Sequence, residues 1–201
     1  MHPDPAFALA PEACVGIARD LAFAHLFVVA ADGIAVVHAP VTVVDAGTLH
    51  FHVSRRNRAL PLLDGARAIA SFVGEHGYVS PDWYATAGQV PTWNYVAVEG
   101  EGTLAPLSRA ALAAQVDALG ADHEARLAPK PAWTRDKMPD GAFEKMLGGI
   151  AGFALTVAAW RGTAKLSQNK PARDAAGVVA GLRGIGRETL AAAVEAANAG
   201  R

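Results

Sequence analysis

Between His25 and Val53 apolar runs alternate with turn signals, and that pattern admits little besides an antiparallel meander. His25–Ala30 (His-Leu-Phe-Val-Val-Ala) is a short β-rich run. Ala31-Asp32-Gly33 follows, and Asp-Gly between apolar runs is a strong hairpin signal. Ile34–Val44 continues as a long strand interrupted at Pro40, Asp45-Ala46-Gly47 makes a second turn, and Thr48–Val53 makes a third strand. A proline cannot donate to a strand ladder, so Pro40 is expected at an edge, at a bulge or facing a ligand.

The rest of the chain supplies three more strands and the helices around them. Ala66–Val73 reads as a fourth strand. Tyr95–Leu104 reads as a fifth, with Val96 and Val98 on one face and Glu99 and Glu101 on the other. Ile150–Trp160 reads as a sixth, with Phe153, Leu155 and Val157 alternating. Pro11-Glu12 opens a helix to about Leu21, with proline in the first turn and an acid behind it. Ser108 caps a helix to about Leu127, whose Leu112, Val116 and Leu119 repeat at three- and four-residue intervals. Ser54–Leu63 reads as a short helix or turn packed by its leucines, and Pro139–Leu147 as a short helix ended by Gly148-Gly149. Two Ala-rich helices, about Arg173–Leu182 and Arg187–Asn198, close the chain. Six strands with peripheral helices predict a mainly β, α+β fold: an antiparallel barrel in a single domain over 1–201. Gly100-Glu101-Gly102 sits within a strand rather than between a strand and a helix, so it is no dinucleotide fingerprint.

Charge and cysteine content narrow the function classes. The formal net charge is −1 and the sequence pI about 6.6, which gives no electrostatic case for nucleic acid or an anionic membrane. The one cysteine, Cys14, excludes an intrachain disulfide and a cysteine-based metal cluster, and is expected as a small buried apolar residue. No run of eighteen apolar residues predicts a membrane span, and the N-terminus has no basic, signal-like region. A cytoplasmic, soluble protein is expected.

Three stretches could carry chemistry. Residues 78–95 hold two Trp, three Tyr and two Pro. They read as a rigid aromatic loop clamped at both ends, or as an aromatic mini-core beneath a long loop. Lys165-Leu166-Ser167-Gln168-Asn169-Lys170 is too polar for core. It is either a polar turn or a source of amide and hydroxyl groups for a ligand. His50-Phe51-His52-Val53-Ser54-Arg55-Arg56-Asn57-Arg58 places two histidines on one strand face and ends in a hydroxyl and three cations. That end suits a phosphate, or it is a solvated basic turn. His50 and His52 lack a third ligand at sensible spacing, so no metal site is expected. His76 beside Glu75 could act as a base, but the catalytic inventory is otherwise thin, and any catalysis would borrow its chemistry from a cofactor.

The succession His52-Val-Ser-Arg55-x-Asn57, Tyr78-Val-Ser-Pro-Asp-Trp-Tyr84, Val90-Pro-Thr-Trp-Asn-Tyr95 and Lys165-Leu-Ser-Gln-Asn169 resembles the PaiB-type family of FMN-binding negative transcriptional regulators. The resemblance runs from the first helix to the last. It implies an FMN-binding split β-barrel and a homodimer with FMN in a cleft at the subunit interface. By the same resemblance, His38-Ala39-Pro40-Val41 lies beside the flavin with smaller side chains than usual, and His38, Pro40 and His52 join the site. The FMN phosphate falls near Ser54 and Arg55, with Asn57 in the same segment and Lys165 as a further candidate. Trp93 and Asn94 line the ring side, and Ser167, Gln168 and Asn169 contact the ligand or lock the dimer. The resemblance therefore implies a regulator or a flavin-dependent oxidoreductase. Two alternatives stay open: a DNA-binding or partner-binding repressor without enzymatic activity, and a haem-binding module using histidines 38, 50, 52 and 76. No basic recognition helix is evident for direct DNA contact.

Overall fold

A computed structural model describes residues 2–30 and 33–200. Five helices and six strands account for most of it: α1 (Pro11–Leu21), β1 (Phe23–Ala30), β2 (Gly33–Asp45), β3 (Thr48–Ser54), β4 (Arg67–Val79), β5 (Thr92–Pro106), α2 (Arg109–Ala125), α3 (Ala142–Leu147), β6 (Ile150–Lys165), α4 (Ala172–Gly184) and α5 (Glu188–Ala197). The strands are hydrogen-bonded in the order β1-β2-β3-β6-β5-β4, and β1 pairs antiparallel with both β2 and β4. The expected mainly β architecture with peripheral helices is thus present. Of the expected Ala31-Asp32-Gly33 turn, Ala31 and Asp32 lie outside the described residues.

The chain divides into two compact units. One, here the sheet unit, comprises Val15–Phe72 and Glu99–Trp160. The other, here the terminal unit, comprises Met1–Cys14, Val73–Val98 and Arg161–Arg201.

In the sheet unit the period-two pattern does what the sequence demands. Leu49, Phe51 and Val53 of β3 are buried, while Thr48, His50 and His52 take the other face. Phe51 stacks on Phe153 of β6 at 5.8 Å between ring centroids. Burying each such side chain contributes on the order of 1.5–3 kcal/mol. Pro40 does not interrupt β2. Its last partner on β1 is Phe23, and pairing with β3 begins one residue later at Val41, whose N–H donates to the Ala22 carbonyl at 2.8 Å. The proline sits where β2 passes from one neighbour to the other, so its missing N–H disrupts little. Ser108 caps α2, its hydroxyl accepting from the Ala111 N–H at 3.2 Å, and Leu112 and Gln115 are the buried residues of that helix.

In the terminal unit Val79, Tyr84, Leu166, Val178, Leu182, Leu190 and Val194 form a second apolar cluster, built largely by α4 and α5. Here the strands outrun the sequence expectation, β5 beginning at Thr92 rather than Tyr95. β4 continues through Val79, so His76-Gly77 lies on a strand rather than in a turn. β6 continues through Lys165. The glycines within these extensions are packing positions. A Cβ on Gly77 would lie 2.8 Å from Leu190 Cδ2, and one on Gly162 would lie 2.5 Å from Cys14 Sγ. Cys14 is fully buried, as expected. The aromatic stretch is correspondingly less of a loop: Tyr78 is on β4, Trp93 and Tyr95 are on β5, and a single 3-10 turn, Pro81–Trp83, lies between.

Candidate functional site

The six-residue motif after β6 builds a tight turn whose centre is buried. Gln168 staples it from both ends: its Oε1 accepts from the Leu166 N–H at 2.6 Å and its Nε2 donates to the Ala164 carbonyl at 2.6 Å. Ser167 is held at φ 66°, a left-handed conformation that costs a non-glycine residue energy. That strain turns the Ser167 hydroxyl inward, where it is 3% exposed and accepts from Asn94 Nδ2 at 2.9 Å. The expectation that this motif is too polar for the interior is therefore overturned for Leu166 and Ser167. Asn94 is 1% exposed, and its Oδ1 is buried without a hydrogen-bond partner. An acceptor in that state costs about 1–3 kcal/mol unless a ligand satisfies it.

Around Asn94 lies a cavity of about 160 Å³ lined among others by Thr92, Lys165, Ser167, Asn169 and Lys170. The Lys165 ammonium donates to Thr92 Oγ1 at 2.6 Å, and the Lys170 ammonium to Gln89 Oε1 at 2.6 Å. Burial, with the Lys170 charge second, pushes the Lys165 pKa below the usual lysine value. The cavity thus offers an unmet acceptor beside two cations, with the Asp4 carboxylate also in its lining. Thr92 and Lys170 join this wall although sequence reasoning did not select them. The available signal was their membership of the same two motifs as Asn94 and Lys165.

Trp93 precedes Asn94 on β5 and so takes the opposite face. Its indole N–H donates to His76 Nδ1 at 3.3 Å, the two rings lie 6.0 Å apart and nearly parallel, and Tyr78 meets Trp93 edge-on. The Arg187 side chain donates to the His76 carbonyl. Trp93 and Asn94 therefore do not share one wall.

In the sheet unit the segment after β3 is a turn organised by its own polar groups. Ser54 Oγ accepts from the Arg56 N–H at 3.2 Å and the Ser54 carbonyl from the Asn57 N–H at 2.9 Å. Asn57 Oδ1 accepts from the Ala59 N–H at 2.9 Å. The Arg55 Nε donates to the Gly148 carbonyl at 3.1 Å, which leaves both terminal guanidinium nitrogens outside that bond. Ser54 and Arg55 are exposed. His52 projects from the outer face of β3, with Nδ1 2.9 Å from Oε1 of the buried Gln115.

His38 and Pro40 belong to the outer face of β1 and β2. Directly opposed pairs there are Phe23–Pro40, His25–His38, Phe27–Val36 and Val29–Ile34. The two histidines share a hydrogen bond, Nδ1 to Nδ1, at 2.6 Å. Phe23, Phe27, Val29, Ile34 and Val36 are all exposed. An antiparallel sheet face left to water is normally polar, and this one is apolar.

Comparison with known proteins follows this geometry. The family described as "Putative FMN-binding domain" matches residues 1–159. Lys165, Ser167, Gln168 and Asn169 lie beyond the matched segment, so their assignment rests on geometry. The chain is similar to "Protease synthase and sporulation protein PAI 2" of Bacillus subtilis (strain 168), at 33% identity over 115 residues covering 57% of this chain and 54% of that protein. It is also similar to an uncharacterized Aspergillus fumigatus protein, at 31% identity over 132 residues covering 56% of this chain and 50% of that one. The chain spans about half the length of these curated relatives. Among solved structures, the FAD and haem binding protein of Mycobacterium smegmatis aligns with a TM-score of 0.58 at 21% identity, covering 78% of this chain and 71% of that one. The flavocytochrome Anf3 of Azotobacter vinelandii aligns with a TM-score of 0.59 at 15% identity, covering 82% and 72%. At such identities the likeness is one of fold.

Proposed function

The chain belongs to the family of FMN-binding domains whose profile spans residues 1–159, and from that premise we propose that it is a dimeric flavoprotein of the split-barrel type. The observation that carries this reading is the buried, unmet Oδ1 of Asn94 beside Lys165, Lys170 and Ser167. A phosphate dianion has no donor for that oxygen. The pyrimidine edge of a flavin does, because its ring N–H stands between two carbonyls. Asn94 would accept from that N–H, and the lysines and the Ser167 hydroxyl would hold the flanking carbonyls. A cavity of about 160 Å³ suits that edge and not a whole cofactor.

In the sheet unit, taken by itself, the Ser54–Asn57 turn suits a phosphate. Arg55, anchored at Nε by the Gly148 carbonyl, presents its terminal nitrogens as a fork. Ser54 and Asn57 hold the turn that aims it. When bound, FMN supplies two-electron redox chemistry. The chain's own groups would orient the ring and balance charge at its edge: Lys165, whose cationic form burial disfavours, would be stabilised by an electron-rich neighbour.

The apolar outer face of β1 and β2 is the proposed contact with a second copy of the chain, and it would place His38 and Pro40 at the interface. The likeness to a protein named for protease synthesis and sporulation supports a regulatory output. With a net charge of −1 and a last helix of acids and alanines, that output is assigned to the flavin state rather than to direct DNA contact.

Sedimentation with detection at the flavin absorbance band tests both halves of the proposal. The expected result is a dimer carrying one FMN per chain, with the Phe27→Asp variant sedimenting as a monomer. Protein that sediments free of flavin at high micromolar FMN overturns the cofactor assignment. A Phe27→Asp variant that stays dimeric overturns the interface.

A further inference from the structure

The sheet unit contains a second cavity, of about 670 Å³, between α2, α3 and the connection that joins them, with His52 and Ile150 on its floor. Small-molecule pockets run from about 300 to 1,000 Å³. We propose that this cavity binds an uncharged aromatic molecule bearing a hydroxyl group, recognised by His52. The proposal does not depend on the flavin reading.

The space is kept open by what α2 lacks. Of the α2 residues that line it, Val116, Asp117, Gly120, Ala121 and Ala125, the last three are small. A Cβ at Gly120 would meet nothing within 4 Å, so a glycine in mid-helix, which costs about 1 kcal/mol relative to alanine, is not there to relieve a close approach. Facing these small residues are Trp133, Met138, Phe143, Met146 and Leu147. Trp133 is 47% exposed, a large aromatic left half in water at the cavity rim.

The polar groups say what the occupant carries. Two of the rim charges pair with each other: Arg135 Nη1 lies 3.2 Å from Asp117 Oδ2, and its guanidinium carbon sits 4.8 Å over the Phe143 ring. The Thr134 hydroxyl donates to Asp136 Oδ2 at 3.2 Å. An ionic ligand would have to break these pairs, so a neutral one is favoured. His52 differs. Gln115 is 2% exposed and is held from its other end by Thr42 Oγ1 at 3.4 Å, with its carbonyl oxygen towards His52 Nδ1. Facing a carbonyl oxygen, Nδ1 is the donor, which in the neutral imidazole leaves Nε2 as an acceptor. An aromatic wall with one oriented acceptor selects a hydroxyl-bearing ring over the same ring without the hydroxyl, because only the former satisfies the imidazole.

The test uses the intact protein with naphthol and naphthalene as probes, read by calorimetry. Naphthol should bind saturably, one per chain, and at least about tenfold tighter than naphthalene. His52→Leu should bring the two within about threefold of each other. Gly120→Leu, which fills the cavity and improves helix propensity, should weaken both by at least about tenfold without lowering the melting temperature. Equal affinity of the two probes for the unmodified protein overturns the proposal. So does undiminished binding to Gly120→Leu, and so does displacement of naphthol by FMN, which would make the cavity part of the flavin site.

Discussion

The two units of the chain treat their buried polar groups in opposite ways. In the sheet unit Gln115 is buried on α2, and both ends of its amide are engaged, by His52 and Thr42. In the terminal unit the amide of Asn94 is engaged at one end only. Among the described residues, the buried side-chain atoms without a partner are Tyr84 Oη, Asn94 Oδ1 and Asp174 Oδ2, and all three belong to the terminal unit. Each such atom costs about 1–3 kcal/mol. A polar group whose bonds are all spent holds structure. One left unspent inside a cavity is a binding contact waiting for its other half. The difference points to the terminal unit for polar recognition, and it leaves the sheet unit with a large, mostly apolar cavity.

The comparison fails if the terminal unit is simply loosely packed, for then an unmet oxygen would mean little. Two glycines test this with the largest expected effect. A Cβ on Gly177 of α4 would lie 2.0 Å from the Trp83 carbonyl oxygen. In the sheet unit a Cβ on Gly102 of β5 would lie 1.9 Å from the Thr156 carbonyl oxygen. Both clashes are with backbone, which cannot swing aside. Gly177→Ala and Gly102→Ala should each destabilise the protein by about 3 kcal/mol, read as a shift of the denaturation midpoint. A Gly177→Ala change costing under about 1 kcal/mol while Gly102→Ala costs three times as much would show a yielding terminal unit. The orphan oxygens would then lose their significance.

Legibility in the sequence followed the same division. Strands β1 to β3 and helix α1 were readable because apolar alternation, turn residues and a first-turn proline are local signals; α1 spans Pro11–Leu21 as expected. The far ends of β4 and β6 were not, because the packing partners of Gly77 and Gly162, Leu190 and Cys14, are far away in sequence. The Asn94–Ser167 bond joins residues 73 positions apart, so no periodicity could reveal it. Motif resemblance brought both residues forward, yet it put Trp93 on the same wall as Asn94, which strand alternation forbids. Lys170 closes the same motif, but no local signal places it in the cavity beside Asn94. The cavity beside α2 was hidden altogether, since Gly120 and Ala121 in an Ala-rich helix carry no sign of what faces them.

The comparison sharpens at Asn94. Leucine has nearly the same volume but no polar atoms. Asn94→Leu loses the bond to Ser167 and removes the unmet acceptor, so its net effect on folding should be within about 1 kcal/mol of zero. FMN affinity should fall by about 10- to 100-fold, because the ring N–H of the flavin loses its acceptor. Stability measured by denaturation and affinity by flavin fluorescence should therefore separate. If both fall together, Asn94 is structural and the site reading fails.

The smallest effect is in the pH dependence of Lys165. Burial and then the Lys170 charge set its folded pKa below 10.5, so in the window between the two values the unfolded chain binds more protons than the folded one. The penalty for holding Lys165 charged is fully present below its folded pKa. It is relieved as pH rises, so this residue makes stability increase with pH there. A bound flavin with negative charge nearby reverses the preference. It raises the Lys165 pKa, and binding takes up a proton in the same window. FMN affinity should fall as pH rises through the folded pKa of free Lys165, by up to about tenfold for each pKa unit the flavin restores. In Lys165→Met that component should be absent, leaving only the slope of the flavin's own titration. Identical slopes in the two proteins would remove Lys165 from the flavin edge, and the cation beside Asn94 would then be Lys170 alone.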